Sequence, residues 1–475
     1  VTETGTTVSP SDQRLLTGLP AATAARASPS HPAPPTITDE ERGTTAVEAY
    51  GNLPEASAQI CRLLAALPPA QWDIDTAVAV CGLSRQETVG QLETLCDAGL
   101  AQRQGQHPVR GDLYGFHDDV RRRARVHAEA EETNQSHIRA LACWLDWMLA
   151  TTSSAERLLM PWRRMLSRDL SGVPAPAPFT DEDGALAWLQ THQGDLELAV
   201  YAAEDRRWLP LVWQLVHAAG PLFQRLPPLE LWRNLHERGL KAARACGHQE
   251  AERELLTTGA SVLRGLRDVT EAARWASLAF DSAEATADQR SKAQALYELG
   301  LCHDADGRAE PAIALLSDAI SVWEGPPISD QHGAALCRLA LGSISLEAAR
   351  AEPALDHLRR AVWELTGVGD RFNAARAQAR RGLAHAQLGH HERAISLLSE
   401  ALDSFIAMDS PPQQARVLAA LGETTVRQGN WRDARDYFQQ ARIVFERFDA
   451  LAADQIMRRL RTLESPLPNV LEGRG

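Results

Sequence analysis

A glycine recurs at positions 300, 342, 382 and 422, so the spacings are 42, 40 and 40 residues. Twelve residues after each stands an alanine: Ala312, Ala354, Ala394 or Ala434. Four further on is a large apolar residue (Leu316, Leu358, Leu398, Phe438), and three beyond that another alanine (Ala319, Ala361, Ala401, Ala441). A unit of this size cannot bury its apolar face alone and must stack on copies of itself. Small residues at fixed places let two helices approach, and the large one fills the gap between them. The chain therefore builds an extended array, since 475 residues also exceed what one compact core organises.

Each unit carries a turn between its helices at Gly307, Gly389 or Gly429, where a left-handed backbone can end the first helix. This is the tetratricopeptide layout, and the excess over its usual period of about 34 residues is placed between units, at Gly325 to Pro327, Gly367 to Asp370 and Asp409 to Pro412. Upstream, Gly259 with Ala272, Ala276 and Ala279 makes a degenerate unit, and Trp208 to Gly247 another. The array is expected to span 207–463 with about six units and a capping helix after Asp449, followed by a tail at 464–475.

Residues 1–48 are rich in Thr, Ser, Pro, Ala and Gly and lack apolar periodicity, which predicts a disordered leader. Residues 49–133 outline a winged helix: an apolar face at Ile60, Leu63 and Leu64, a helix over Asp73 to Cys81, the turn Gly82-Leu83-Ser84, and a second helix through Leu100. Short runs at Leu100 to Arg103 and Leu113 to Phe116, separated by Gly105, Pro108 and Gly111, fit a two-stranded wing; the alternative is a plain three-helix bundle. Residues 134–206 read as a helical connector broken at 173–178 by Val-Pro-Ala-Pro-Ala-Pro, which divides the winged-helix side from the repeat side. The tryptophans at 144, 147, 162, 188, 208 and 213 stand at helical spacing and read as core. The expected fold class is all-α with a small two-stranded wing: a winged-helix domain, a helical bundle, and a tetratricopeptide-like α-solenoid.

The net charge of −13 argues against a protein that coats nucleic acid. Between Ser84 and Gly99 the only basic residue is Arg85, against Glu87, Glu93 and Asp97, whereas a helix entering a groove needs basic side chains for phosphates. The basic cluster Arg121, Arg122, Arg123 and Arg125 follows the wing and reads as a solvated or partner-facing surface. Lysine occurs only at Lys241 and Lys292, a bias that codon choice alone produces. Seven scattered cysteines without a C-x-x-C pair, and the lack of any long apolar run, predict a cytoplasmic protein with reduced thiols.

Chemistry is sparse. No H-E-x-x-H occurs, His390-His391-Glu392 and Cys302 to Gly307 coincide with repeat turns, and no phosphate-cradling loop, nucleophile elbow or dinucleotide fingerprint is present. The reading is a non-enzyme with neither metal nor cofactor.

The chain resembles the winged-helix and tetratricopeptide portions of actinomycete antibiotic-regulatory NTPases of the NB-ARC (STAND) class. The motifs that carry the resemblance are Tyr114-Gly-Phe-His-Asp-Asp-Val120, Glu156-Arg-Leu-Leu-Met-Pro-Trp162 and Ala185-Leu-Ala-Trp-Leu189, leading into repeats of about 40 residues; together they cover roughly 50–463. The resemblance matches His117 to a histidine that contacts the phosphate of ADP held by a neighbouring NTPase domain, with Asp118 beside it. This sequence has no phosphate loop and no room for that domain before the wing, so His117 and Asp118 are expected to make a structural hydrogen bond or helix cap.

Tetratricopeptide arrays present a concave face suited to an extended peptide or a helix. Arg376 and Arg416 share one repeat position and could grip a carboxylate, or be solvated surface. The candidate binding residues are Tyr297, Arg338, Arg376, Arg380, Arg416 and Glu423. Function is expected to be that of an adaptor or sensor binding a protein or peptide, which the resemblance ties to regulation or assembly of a specialised-metabolite pathway; the alternative is a winged-helix transcription regulator with a repeat sensor.

Overall fold

The computed structural model describes residues 48–122, 124, 134–170, 172–173, 175–225 and 229–464. The expected leader and tail, and with them Arg123 and Arg125 of the basic cluster, lie outside the described residues apart from Glu48 and Glu464. The chain is all-α with one small sheet.

The first body contains α1 (Glu55–Ala65), β1 (Gln71–Asp73), α2 (Ile74–Cys81), α3 (Arg85–Asp97), β2 (Ala101–His107) and β3 (Gly111–Phe116). Local chemistry sets these limits. Asp73 caps α2 by accepting from the Thr76 N–H, and Gly82 ends it at φ 67°, where a β-carbon would be strained. Ser84 and Glu87 form a reciprocal capping box on α3. The sheet departs from the expected two strands: β1 pairs antiparallel with β3, giving the order β1-β3-β2. A three-residue strand carries too little periodicity to register in a sequence, and the helix expected from Asp73 begins at Ile74, with Asp73 closing the strand as its cap.

Next come α4 (Asn134–Leu159), α5 (Glu182–Thr191), α6 (Gln193–Asp205), α7 (Leu209–Ala218), α8 (Gly220–Arg225) and α9 (Leu229–Ala245). One continuous apolar core runs from Ile60 in α1 to Val262 in the first full repeat, so the proline-rich run at 173–178 does not divide two bodies. It lies in the non-helical stretch between α4 and α5, where the Ala177 N–H donates to Thr151 Oγ1 of α4 (3.3 Å). Trp144, Trp147, Trp188 and Trp213 are buried in this core, and the half-buried Trp162 and Trp208 pack against it.

A buried ionic cluster fastens the first body to the helices that follow it. Asp73 accepts from Arg110 Nε (2.9 Å) in the β2–β3 turn and is bonded to His192 Nε2 (3.1 Å) at the α5–α6 junction, and Arg110 also pairs with Asp195 (3.1 Å). Burial opposes ionisation of Asp73, but the His192 hydrogen bond, the Arg110 guanidinium and the Thr76 N–H outweigh it and hold the carboxyl well below the usual carboxylate range. A depressed acid stabilises the fold above its unfolded value of about 3.9 and loses that contribution as pH falls through the folded value. Asp73→Asn is therefore expected to lower stability by about 1.5–3 kcal/mol at pH 7. In urea titrations taken from pH 7 towards pH 3, the gap between the variant and the native chain should narrow below about pH 4.

The repeats follow as antiparallel pairs: α10 (Gln249–Gly265) with α11 (Val269–Ala285), α12 (Gln289–Ala305) with α13 (Ala309–Glu324), α14 (Gln331–Glu347) with α15 (Ala351–Gly367), α16 (Arg371–Gln387) with α17 (His391–Ala407), and α18 (Pro411–Arg427) with α19 (Trp431–Phe445). The helix α20 (Ala450–Glu464) packs on α19. The core breaks here into small clusters shared by neighbouring helices, as a one-dimensional stack requires. The recurring glycine sits where the helices of a pair cross. A β-carbon on Gly342 would lie 2.5 Å from Leu358 Cγ, and one on Gly422 would lie 2.7 Å from Phe438 Cε1. Gly389 turns between α16 and α17 at φ 80°.

The excess over the usual period is not where the sequence reading placed it. From α14 to α17 every helix is 17 residues long, and the joins 348–350, 368–370 and 388–390 are all equally short. The extra residues lengthen the helices; only the loop between α13 and α14, around Gly325 to Asp330, is long. Gly367 and Pro412 suggest loops, yet both lie inside helices: Gly367 ends α15, and Pro412 stands in the first turn of α18, where a missing N–H costs nothing.

Candidate functional site

The first helices of successive pairs, α10, α12, α14, α16 and α18, touch one another in series and form the inner wall of the array. At inter-helix distances of about 8–10 Å this wall extends roughly 30–40 Å. Two hollows open on it.

The hollow nearer the C-terminus holds about 340 Å³ and is lined by Leu339 and Ser343 of α14, Arg376, Ala379, Arg380 and Leu383 of α16, and Arg416, Val417 and Ala420 of α18. The Arg376 guanidinium donates to Asn373 Oδ1 (2.7 Å), and among the described residues no carboxylate lies within ion-pair distance of Arg376, Arg380 or Arg416. Arg376 and Arg416 are exposed at the mouth of the hollow and Arg380 is half-buried. Desolvation lowers all three guanidiniums and mutual repulsion adds to it, Arg376 feeling Arg380 and Arg416 feeling Arg376, while Glu347 and Asp304 pull Arg380 back and Asp449 pulls Arg416 back. Three cations without a bonded carboxylate, beside the apolar Leu383, Val417 and Ala420, can take an anion through bidentate guanidinium bonds.

The other expected residues fall elsewhere. Tyr297, on α12, lines the second hollow, and burial raises its phenol well above the usual range. Arg338 is buried and engaged: Nη1 donates to Glu364 Oε2 (2.8 Å) across to α15, and Nη2 pairs with Glu324. It ties three helices together and offers nothing to a ligand. Glu423 accepts two bonds from Arg459 of α20, both 2.6 Å, which clamps the terminal helix. His117 and Asp118 stand exposed at the end of β3. The His117 carbonyl accepts from the Arg121 N–H (2.9 Å), but neither side chain makes the expected bond among the described residues.

Arg85, the lone basic residue of α3, pairs with Asp75, while Glu87, Glu93 and Asp97 face solvent. Arg121 donates to the carbonyls of Leu67, Pro68 and Pro69, so it holds a loop. Among the described residues no group of three His, Cys, Asp or Glu side chains is placed to hold a metal, and no helix is long and apolar enough to cross a membrane. Burial pushes the Cys61, Cys81 and Cys302 thiols up to about 12, which makes them poor nucleophiles.

The second hollow escaped sequence reading. The segment after α4 folds back over the inner wall, where Trp162 stacks on His332 of α14 (4.7 Å between ring centres) and its carbonyl accepts from Arg290 of α12 (3.0 Å). Arg164 reaches Asp288 (2.9 Å) and Glu250. Behind it, Arg163 and Arg168 share the fully enclosed Glu156 of α4 (2.5 and 2.7 Å). The motif Glu156 to Trp162 was visible, but what it packs on lies more than a hundred residues away in sequence, which no local pattern reports.

No protein-family model matches the chain. Over 300 residues, 61% of this chain, it is 28% identical to "Regulatory protein AfsR" of Streptomyces griseus, and that match spans 30% of the relative's length. Among solved structures, the STAND protein with a tetratricopeptide repeat sensor from Pyrococcus horikoshii aligns with 90% of this chain and 62% of its own (TM-score 0.42, 15% identity). A Rap protein complexed with competence and sporulation factor aligns with 72% of this chain and 92% of its own (TM-score 0.42, 13% identity).

Proposed function

We propose that this chain is a non-enzymatic regulator that binds a peptide, or an extended segment of a protein, along the inner wall of its repeats. The ligand's carboxylate is held by Arg376, Arg380 and Arg416. The observation that carries this reading is the convergence of three guanidiniums without a bonded carboxylate in one hollow, whereas Arg338 of α14 is fully paired. Like charges gathered in one hollow repel one another, and an anionic ligand relieves that repulsion. The similarity to a regulatory protein supports the same class, and with the sequence resemblance it favours control of a specialised-metabolite pathway in the cytoplasm.

The test uses two pools of random octapeptides, one with free carboxyl ends and one amidated, passed over the immobilised full chain. Retention of the free-carboxylate pool is expected to exceed that of the amidated pool, and Arg376→Ala with Arg416→Ala to cut it about 10- to 100-fold, as loss of charge-assisted bonds predicts. Equal retention of both pools, or a double variant that binds as the native chain does, would refute the reading.

A further inference from the structure

The hollow beneath Trp162 carries a second, opposite chemistry. Its volume is about 80 Å³, room for roughly five to eight non-hydrogen atoms if each takes the space of one water. Its lining includes Glu254 and Thr258 of α10, Tyr297 of α12, Trp323 of α13, and Trp162. Three arginines also border it, and each has an acid as partner: Arg163 has Glu156, shared with Arg168; Arg164 has Glu250 and Asp288, the latter shared with Arg253; and Arg290 has Asp330 (2.9 Å).

Glu254 has none. Only 8% of the residue is exposed, and among the described residues no donor reaches its carboxylate within hydrogen-bonding distance. The nearest basic atom is His217 Nε2 at 3.9 Å. That imidazole is neutral: burial drives it well below its usual value, and its Nδ1 accepts from Arg168 Nη2 (2.6 Å). Burial likewise raises the Glu254 carboxyl, against the pull of Arg163, Arg164 and Arg290. A buried carboxyl without a donor is costly, and proteins keep such groups where a partner supplies the bond. Tyr297, Trp323 and Trp162 add aromatic walls; the Arg290 guanidinium already lies over the Trp323 ring (5.4 Å) and His332 stacks on one face of Trp162, so Tyr297 is the ring left for a ligand cation.

We infer that this hollow is an ammonium-binding subsite, in which Glu254 accepts hydrogen bonds from a primary ammonium group of the ligand, either a peptide's amino terminus or a lysine side chain. The subsite stands on its own geometry. Where the carboxylate reading of the arginine hollow also holds, the channel is polar, with an acid on α10 at one end and cations on α16 and α18 at the other. Three helix steps of about 8–10 Å separate them, which about eight extended residues at 3.3 Å each would span. A peptide would then be bound in one direction, amino end towards α10.

The test uses three small probes on the full chain, followed by calorimetry and ligand-observed NMR. Phenylalaninamide presents an α-ammonium, Nα-acetyl-lysine methylamide presents a side-chain ammonium, and N-acetylphenylalaninamide is neutral. At least one ammonium probe is expected to bind and the neutral one to fail, with Glu254→Gln weakening the ammonium probe at least tenfold. Whichever ammonium probe binds more tightly identifies the source. Glu254→Gln should melt no lower than the native chain, since a neutral amide of the same shape relieves the buried charge, so lost binding cannot be laid to misfolding. Arg376→Ala with Arg416→Ala should leave ammonium binding unchanged; if the peptide pools fail while ammonium binding persists, only the carboxylate reading falls. Binding of no probe, equal binding of the neutral probe, or full binding by Glu254→Gln overturns the subsite.

Discussion

Glu156→Ala is expected to be among the most damaging single substitutions in the chain, lowering stability by about 3–5 kcal/mol. The side chain is fully enclosed, and each of its oxygens holds a different guanidinium, Arg163 at 2.5 Å and Arg168 at 2.7 Å. Those cations are otherwise bound only to neutral groups in the cluster: Arg163 to the His217 carbonyl (2.6 Å), and Arg168 to Ser153 Oγ (2.7 Å) and His217 Nδ1 (2.6 Å). Burial already lowers the Arg168 guanidinium despite the Glu156 carboxylate, so without that carboxylate two cations would share a dry site with no carboxylate bonded to either. Breaking a buried pair costs more than the pair is worth, because the survivor keeps its desolvation penalty. Replacing Glu156, Arg163 and Arg168 together by Leu, Met and Met should recover most of the loss. A stacked array need not unfold in one step, so the reading to take is hydrogen exchange across residues 156–168 alongside the urea midpoint. Rapid exchange confined to that segment would show that it detaches from the inner wall while the repeats survive. A variant with native protection there would show the cluster to be dispensable.

What the sequence disclosed follows from the range over which its signals act. The repeat register was legible because Gly342 and Leu358, or Gly422 and Phe438, meet across a single helix pair, so contact and spacing coincide. The array's joins were misplaced for a related reason: Gly367 and Pro412 signal breaks by composition, yet one tolerates a helix end and the other a helix start. Strand β1 was missed because its partner β3 lies some forty residues on. Within the candidate site, Arg376 and Arg416 stood out by sharing a repeat position, but Glu254 had no such signature. A glutamate on an amphipathic helix reads as surface until the Met160 to Arg168 segment is seen to cover it. The same limit applied to Arg338 and Glu423, whose partners Glu364 and Arg459 are 26 and 36 residues away.

Arg338 and Arg376 look alike in sequence, both on inner helices of neighbouring repeats, and their substitution should separate structure from binding cleanly. Arg338→Ala removes the cation between Glu364, which is 4% exposed, and Glu324 on the preceding pair. It strands one buried carboxylate and loosens α13 from α15, at an expected cost of about 3–5 kcal/mol. Arg360 softens this only in part, because it reaches Glu364 Oε1 and Glu324 from the surface with its own side chain more than half exposed. Arg376→Ala strands no charge: its one bond is to the Oδ1 of the buried Asn373, and Arg380 repels it. The fold should therefore lose only about 0.5–1.5 kcal/mol, the net worth of one such bond. Urea titrations of the two variants side by side make the comparison. Equal destabilisation would mean that Arg376 is held by the fold as Arg338 is, and the anion receptor would lose its physical basis; a large loss for Arg338 with a small one for Arg376 would show that the charge of Arg376 is free of structural duty, which is what a receptor for a carboxylate requires.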